Sequence, residues 1–437
     1  MAEALIGFAL LFGLLLLRVP IAFSLLLVGV VGFALSRNAT AALRMSVNTV
    51  LDTSFSYTLS VVPMFMLMGS LVSRAGISDQ LYDAANALVG RRRGGIAMAT
   101  ILSCGGFSAI CGSSLATVAS MSRVAMPSMR RYGYADHLAA GAIAAGGTLG
   151  ILIPPSIILV IFGMLTQQDI GRLFAAGILP GLLGIALYLV AVRLVIWRSP
   201  EAGPRGPAMA WRDRLAAMTG AGSVLALVVL VLGGIYGGLF TPTEAAGVGA
   251  FGALVIGLVR RRLSARSILE ALRESIATSA MLFFLAFGAL VFNNFINIVG
   301  FTRALEQVVT GTGLSPWMIL LVIMLIYLVL GCMLESLSMI LLTVPVFYPI
   351  VAVLDFGPGV PPELKLIWFG ILVVVATEIS LITPPIGLNV FVLRQVIGDV
   401  RLATIFRGVT PFWIADLVRL ALLLLLPSIA LWLPGRM

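Results

Sequence analysis

Side chains able to do chemistry are scarce in this sequence. Among 437 residues there are three cysteines, Cys104, Cys111 and Cys332, and a single histidine, His137. They supply no ligand set for zinc or an iron–sulfur cluster and no spacing of disulfide type. One histidine and no clear aspartate dyad leave no nucleophile with its base, so the chain is not expected to be an enzyme. No Gly-x-x-x-x-Gly-Lys-Ser/Thr phosphate loop is present, which excludes ATP hydrolysis by that route. Charge is scarce too: 11% of the residues are charged, where soluble domains carry about 25%.

Apolar surface stands in place of charge. Hydrophobic residues make up 60% of the chain, beyond the roughly 45–50% of soluble domains. Apolar runs of about 20 residues, long enough to cross a hydrocarbon core, recur from end to end. The lipid bilayer is therefore the expected solvent. The net charge of +10, from 28 Lys plus Arg against 18 Asp plus Glu, would point to nucleic acid in a soluble protein. Here the arginines gather in short loops between apolar runs, the pattern of cytoplasmic orientation signals, and nucleic acid is not an expected partner. The first run begins at once and resumes from Ile21 to Leu35 after Arg18 and Pro20, which reads as an uncleaved span and not a signal peptide.

The expected cytoplasmic points are Arg18, the triplet Arg91, Arg92 and Arg93, the pair Arg130 and Arg131, the regions Arg198 to Arg214 and Arg260 to Arg273, and Arg401 with Arg407. Arg37 and Arg44 fit less well. Between the triplet and the pair lies the stretch Gly94 to Met129, which at about 1.5 Å per helical residue exceeds one span, yet both its ends carry cytoplasmic signals. Its middle, Ser103 to Ser114, is rich in glycine and small polar residues. A re-entrant helical hairpin with a polar tip satisfies both facts. A second such stretch, Trp317 to Val353, has flanks nearly without arginine and a small polar tip, Gly331 to Ser338. One hairpin opening to the cytoplasm and one to the outside is what an inverted repeat predicts.

Each hairpin is followed by a span broken at a double proline, Pro154-Pro155 and Pro384-Pro385. Proline removes a donor and displaces the preceding turn, so carbonyls before each pair lose their helical partners. In hydrocarbon such carbonyls persist only where protein or a polar cavity receives them. The expected fold is an all-α polytopic membrane protein of inverted repeats, with two re-entrant hairpins and two discontinuous helices. The segment Arg198 to Arg214, with Pro200, Pro204 and Pro207, is the expected cytoplasmic linker between the halves.

Unwound carbonyls, hydroxyls and glycines at a hairpin tip and a broken span make an oxygen cage suited to an alkali cation, and free helix N-termini favour an anion. Sodium as coupling ion with a carboxylate substrate is the expected pair. A first cage is expected from Ser108, Gly112, Ser113 and Ser114 with Gly150, Ile153 and Pro155. Close helix packing is the competing explanation for small residues, and the double-proline breaks in both halves favour the cage. A second is expected from Glu335, Ser336 and Ser338 with Thr377, Thr383, Pro384 and Gly387, because an acid at membrane depth needs a partner or water. Substrate contacts are expected from Ser113, Ser114, Glu335, Ser336, Asn389 and Arg394, although an arginine near a span end also snorkels to headgroups. Glu378, inside an apolar run, fits the cage, a proton step or an interhelical hydrogen bond equally. Glu244 follows Thr241-Pro242 as in a capping box, and His137 beside Asp136 reads as an interfacial cap.

Several motifs then line up along the chain: Pro63-Met64-Phe65 leading to Gly69, the serine–glycine tip followed by Pro127-Ser128-Met129 and Gly133-Tyr134, Gly147 to Ser156, Pro242-Thr243-Glu244-Ala245-Ala246, and Thr383 to Asn389. Together they resemble the large membrane subunit of tripartite ATP-independent periplasmic (TRAP) transporters over nearly the whole chain. The resemblance implies an elevator transporter of the ion-transporter superfamily in the bacterial inner membrane, whose scaffold holds a mobile domain of two hairpins and two broken spans. It implies sodium-coupled import of an organic acid, a periplasmic substrate-binding protein that delivers it, and a small four-helix membrane subunit as partner. Cys111 stands where such tips usually have serine, and Glu335 where aspartate is commoner.

On this reading residues 1–92 are scaffold, 93–166 transport domain, 167–215 a scaffold helix and the linker, 216–310 scaffold, 311–397 transport domain and 398–437 a C-terminal scaffold helix. The alternatives are a sodium/dicarboxylate or citrate carrier that needs no binding protein, and an ion channel, which requires a continuous pore lined by rings of like groups.

Overall fold

The computed structural model describes residues 2–206, 210–332 and 334–437. Pro207 of the expected linker and Met333 of the second expected tip lie outside the described residues. Among the described residues every regular element is a helix, apart from one isolated bridge between Arg93 and Arg205. The first half comprises α1 (Ala2–Leu16), α2 (Ile21–Ser36), α3 (Ala39–Ser54), α4 (Val61–Arg74), α5 (Ile77–Val89), α6 (Gly95–Cys111), α7 (Ser114–Arg131), α8 (Asp136–Thr148), α9 (Ile157–Thr166) and α10 (Ile170–Arg198). The second comprises α11 (Trp211–Tyr236), α12 (Pro242–Val259), α13 (Ala265–Ile298), α14 (Phe301–Gly311), α15 (Pro316–Gly331), α16 (Ser336–Val353), α17 (Lys365–Ser380), α18 (Leu388–Ile397), α19 (Leu402–Leu425) and the short α20 (Ser428–Leu431). Six of these, α10 to α13, α16 and α19, are long and apolar enough to cross a membrane, and α3 with α4, bent by 58°, form a seventh if counted as one span.

The internal repeat is visible in the order of elements. Pairs α6–α7 and α15–α16 form helical hairpins, and α8–α9 and α17–α18 are the helices broken at the double prolines. Before each hairpin stands an amphipathic helix, α5 or α14, entered through a left-handed glycine, Gly76 or Gly300, both at φ +69°. Only glycine takes that conformation without steric cost.

The hairpins open at opposite ends of the molecule, as the course of α19 establishes. Its first turns lie beside the start of α8, where Gly408 meets the His137 carbonyl. Just ahead of it, Asp399 pairs at 2.8 Å with Arg130 at the base of the first hairpin. At its far end the Leu423 carbonyl accepts the Trp368 indole N–H at 2.9 Å. Trp368 in turn packs edge-on against Trp317, at the base of the second hairpin, with ring centroids 5.8 Å apart.

The most buried helices, α6, α8, α9, α16 and α17, come from the hairpins and broken helices. Every residue of α17 from Ile367 to Ser380 is buried, as an all-round apolar helix requires. Helices α10 and α19, assigned to scaffold within 167–215 and 398–437, pack chiefly on this interior: α19 along α8, and α10 on α19, α6 and α17. Small residues make the contact, since Gly141 of α8 and Gly408 of α19 meet backbone to backbone. Helices α1 to α4 and α11 to α13 pack mainly on one another, α2 on α13 and α4 on α12 and α13, while α5 bridges α6 and α11.

Two polar features turn out to be structural. Glu244 completes a capping box, accepting the Thr241 backbone N–H at 2.8 Å. At the start of α8 it is Asp136, beside His137, that makes the polar contact, with Arg130 at 3.1 Å.

Candidate functional site

The first tip forms because Gly112 turns left-handed, at φ +60°, and ends α6. Ser113 then caps α7, its hydroxyl oxygen accepting the Ala116 N–H at 3.4 Å. The tip is pressed into the first break. A Cβ on Gly112 would lie 2.9 Å from the Pro155 carbonyl oxygen, and one on Gly150 would lie 2.9 Å from the Ser113 carbonyl oxygen. Glycine at both positions is what lets the backbones approach. On the other side Gly69 of α4 admits the Cys111 carbonyl, 3.1 Å from where its Cβ would be, so Cys111 is a buried packing element of the tip. Ser156 caps α9 through Leu159 N–H at 3.3 Å. Both proline–proline bonds, Pro154–Pro155 and Pro384–Pro385, are cis.

Two residues expected in the first cage are engaged elsewhere. The Ser108 hydroxyl donates to the Cys104 carbonyl at 2.5 Å, and its own carbonyl accepts Gly112 N–H at 3.2 Å. Ile153 packs its side chain against Gly181 of α10, and its N–H donates to the Leu149 carbonyl at 3.1 Å.

At the second tip Glu335 occupies the N-cap of α16 and accepts the Ser338 hydroxyl at 2.9 Å. Gly331 presses on Ser380, with no room for a Cβ, and so docks the tip on the second broken helix. Gly387, at φ +56°, starts α18. The threonines expected here are turned inward along their own helix. Thr377 donates to the Val373 carbonyl at 2.8 Å, and Thr383 to that of Ile379 at 2.6 Å while accepting the Trp413 indole N–H at 2.9 Å. Pro384 is exposed, as are Pro385 and Ile386, whereas Pro154 and Pro155 are buried. The two breaks are therefore not equivalent in their surroundings.

Both tips and both breaks meet at one cavity of about 80 Å³. Gly112, Ser113 and Ser114 line it from the first tip, Glu335 and Ser336 from the second. The first residues of α7, α9, α16 and α18 also reach it, as do Ile151 and Leu381 from the unwound ends of α8 and α17. Asn389 lies behind it, donating to the Ser114 hydroxyl oxygen at 2.8 Å and to the Ala144 carbonyl at 3.0 Å. Arg394, exposed in the last turn of α18, is not part of the lining. Four helix N-termini favour an anion there, and the carboxylate with unwound carbonyls favours a cation. The volume holds several waters but falls short of the roughly 300–1,000 Å³ of small-molecule pockets.

A second buried polar group surrounds Glu378, for which an interhelical bond is one of the three expectations, and its partners are residues that the sequence did not single out. Glu378, just before the second break, forms an ion pair with Arg419 of α19, which also pairs with Asp416 at 2.9 Å. Tyr188 of α10 donates to Asp416 at 2.6 Å and shares a hydrogen bond of 3.0 Å with Thr148, at the first break. All five side chains are fully buried, and Gly184 makes room for the guanidinium. The network joins the ends of both broken helices through α10 and α19. Its sequence signal was the pair of charges three residues apart inside the apolar run of α19.

Paired hairpins and broken helices that converge on one buried polar site define the class, a membrane transport protein. The chain belongs to the family described as tripartite ATP-independent periplasmic transporter, DctM component, which it matches over residues 8–429. It is 40% identical over 385 residues to the C4-dicarboxylate TRAP transporter large permease protein DctM of Pseudomonas aeruginosa, covering 88% of each chain. To the isethionate TRAP transporter permease protein DctMQ of Oleidesulfovibrio alaskensis it is 35% identical over 432 residues, covering 96% of this chain and 65% of that one. The YdaH transporter of Alcanivorax borkumensis shares the fold with a TM-score of 0.61 at 18% identity, over 91% of this chain and 90% of that one. The protein is accordingly a multi-pass protein of the bacterial inner membrane.

Proposed function

We propose that this chain imports an organic acid together with sodium, moving the site across the membrane as an elevator. The observation that carries the reading is the cavity where four helix N-termini, two unwound helix ends and the Glu335 carboxylate meet. The N-termini receive the substrate carboxylate. The Ser113 and Pro155 carbonyls, and Glu335 with Ser338, supply oxygen ligands for sodium. An acid large enough to need more than about 80 Å³ enters only when one tip swings off its break.

The packing supports the elevator. Helices α6 to α10 and α15 to α19 form one body around the site, and α1 to α4 with α11 to α13 form another. On this reading the hairpins are re-entrant, and α5 and α14, hinged at Gly76 and Gly300, carry the first body relative to the second. Substrate is delivered by a periplasmic binding protein, and a small membrane subunit completes the complex. The greater length of the isethionate permease, of which this chain spans 65%, is in keeping with such a second part.

The test is uptake of radiolabelled C4-dicarboxylates, isethionate and other organic acids into proteoliposomes holding the chain with its small subunit. Sodium gradient and binding protein are each supplied or omitted. Uptake that requires both supports the reading. Uptake without binding protein turns it to the stand-alone carrier, and ion flux independent of solute turns it to a channel.

A further inference from the structure

Six arginines surround one open groove at the arginine-rich end of the molecule. Arg91, Arg92 and Arg93 come from the turn after α5, Arg193 from α10, Arg205 from the linker and Arg214 from the first turn of α11. The groove has a volume of about 1,030 Å³ and, among the described residues, no carboxylate in its lining. Among the described residues none of the six forms an ion pair or a side-chain hydrogen bond. The Arg214 Nε is buried with no hydrogen-bond partner among the described residues.

The arrangement is held by the backbone and not left to loose loops. Gly94 N–H donates to the Gly203 carbonyl at 2.8 Å, Gly206 N–H to that of Gly90 at 3.0 Å, and Ala135 N–H to that of Ala202 at 3.0 Å. Arg93 and Arg205 face each other across the resulting bridge. The segment expected to act as a linker is therefore stitched to the base of the first hairpin, and its glycines permit it: a Cβ on Gly203 would lie 3.1 Å from the Gly94 Cα.

Six cations fixed around one space repel each other unless an anion sits among them. The wall decides what kind of anion. Leu88, Leu189 and Val190 line the same groove, and Leu88 and Val190 are 62% and 52% exposed. A groove that is basic at the membrane surface and apolar beside it matches an amphiphile with a phosphate head. Guanidinium groups bind phosphate oxygens in pairs, and basic pockets between membrane helices on the cytoplasmic side take anionic headgroups. We propose that this groove is a binding site for an anionic phospholipid of the inner leaflet, held by its phosphate through Arg91, Arg93, Arg193 and Arg214, with an acyl chain along Leu189 and Val190.

The test is native mass spectrometry of the full-length chain, alone and with its small subunit, titrated with cardiolipin, phosphatidylglycerol or phosphatidylethanolamine. A parallel arm contains inorganic phosphate only. The anionic lipids are expected to bind in preference to phosphatidylethanolamine. Arg193→Gln is expected to weaken cardiolipin about fivefold, and Arg91→Gln with Arg93→Gln and Arg193→Gln together about a hundredfold. Arg401→Gln, outside the groove, is expected to leave binding unchanged. The single variant keeps the test valid if the triple one does not fold. Equal binding of phosphatidylethanolamine, no loss in Arg193→Gln, displacement of the lipid by millimolar phosphate, or loss of lipid when the small subunit is present would each overturn the proposal.

Discussion

Asn389 and Ser114, 275 residues apart in the chain, are joined side chain to side chain at 2.8 Å, and both are buried. This bond links the start of α18 in the second half to the start of α7 in the first. It stands directly behind the cavity in which the proposed site lies.

Breaking that bond should cost transport more than stability. Ser114→Ala leaves the Asn389 amide its bond to the Ala144 carbonyl, so the fold is expected to survive. Uptake is expected to fall about tenfold, equivalent to about 1.4 kcal/mol. Initial uptake rates beside the thermal unfolding temperature of the purified protein check it. A drop in unfolding temperature that accounts for the whole loss of uptake would mean the bond only holds the structure.

Among the described residues Glu335 is the one carboxylate lining the cavity. Glu335→Gln keeps the shape and removes the charge, and is expected to raise the sodium concentration for half-maximal uptake about tenfold or more, since charged partners are worth about 1.5–3 kcal/mol. Ser338→Ala, which removes only the hydroxyl bonded to Glu335, is expected to do so to a smaller degree. Uptake measured against sodium concentration at saturating substrate decides it. An unchanged sodium dependence in Glu335→Gln would remove Glu335 from the ion site.

The network around Arg419 makes a prediction about stability. Arg419→Met leaves Glu378 and Asp416 buried without their cation, and removing one partner of a buried pair costs about 3–5 kcal/mol. Replacing all three by neutral residues, Glu378→Gln with Asp416→Asn and Arg419→Met, is expected to recover most of that loss. Thermal unfolding of the single and triple variants in one detergent distinguishes this from a network in which each residue acts alone.

Acid should weaken the arginine-rich end through Asp399. Its hydrogen bond to Arg130 holds its carboxyl below the usual 3.8. The folded state therefore binds fewer protons than the unfolded state between the two values, and stability falls as pH drops through that window. Asp399→Asn is expected to lower the unfolding temperature slightly and equally at pH 8 and pH 5. The difference should close as pH falls below 3.8 toward the depressed folded-state value. The effect is small because the pair is exposed and screened.

How much of this was legible in the sequence varied by residue type. The double prolines and the glycine–serine tips announce their own geometry, because Pro155 and Gly112 impose local backbone conformations. The packing of α10 and α19 was not legible, because the contact between Gly141 and Gly408 depends on which two helices meet, and a glycine carries no mark of its partner. Asp416 and Arg419 did carry such a mark, two charges in an apolar run, but the partners Glu378 and Tyr188 lie in other segments. The hydroxyl bonds of Thr377 and Thr383 were not legible for a local reason: a threonine in a helix bonds readily to the carbonyl four residues back, and sequence does not show whether its hydroxyl is already engaged. The repeat of α5 and α14 was legible in principle, through Gly76 and Gly300 ahead of two amphipathic stretches.

The most direct measurement is sodium-driven uptake of an organic acid, with the binding protein present, by the wild type and by Ser114→Ala and Glu335→Gln in the same proteoliposomes. The wild type is expected to accumulate substrate only with an inward sodium gradient. Both variants, folded and correctly inserted, should lose most of that uptake, one through the first tip and the other through the second. Full sodium-driven uptake in both variants would contradict a shared site at the two tips and require that substrate and sodium bind elsewhere in the protein.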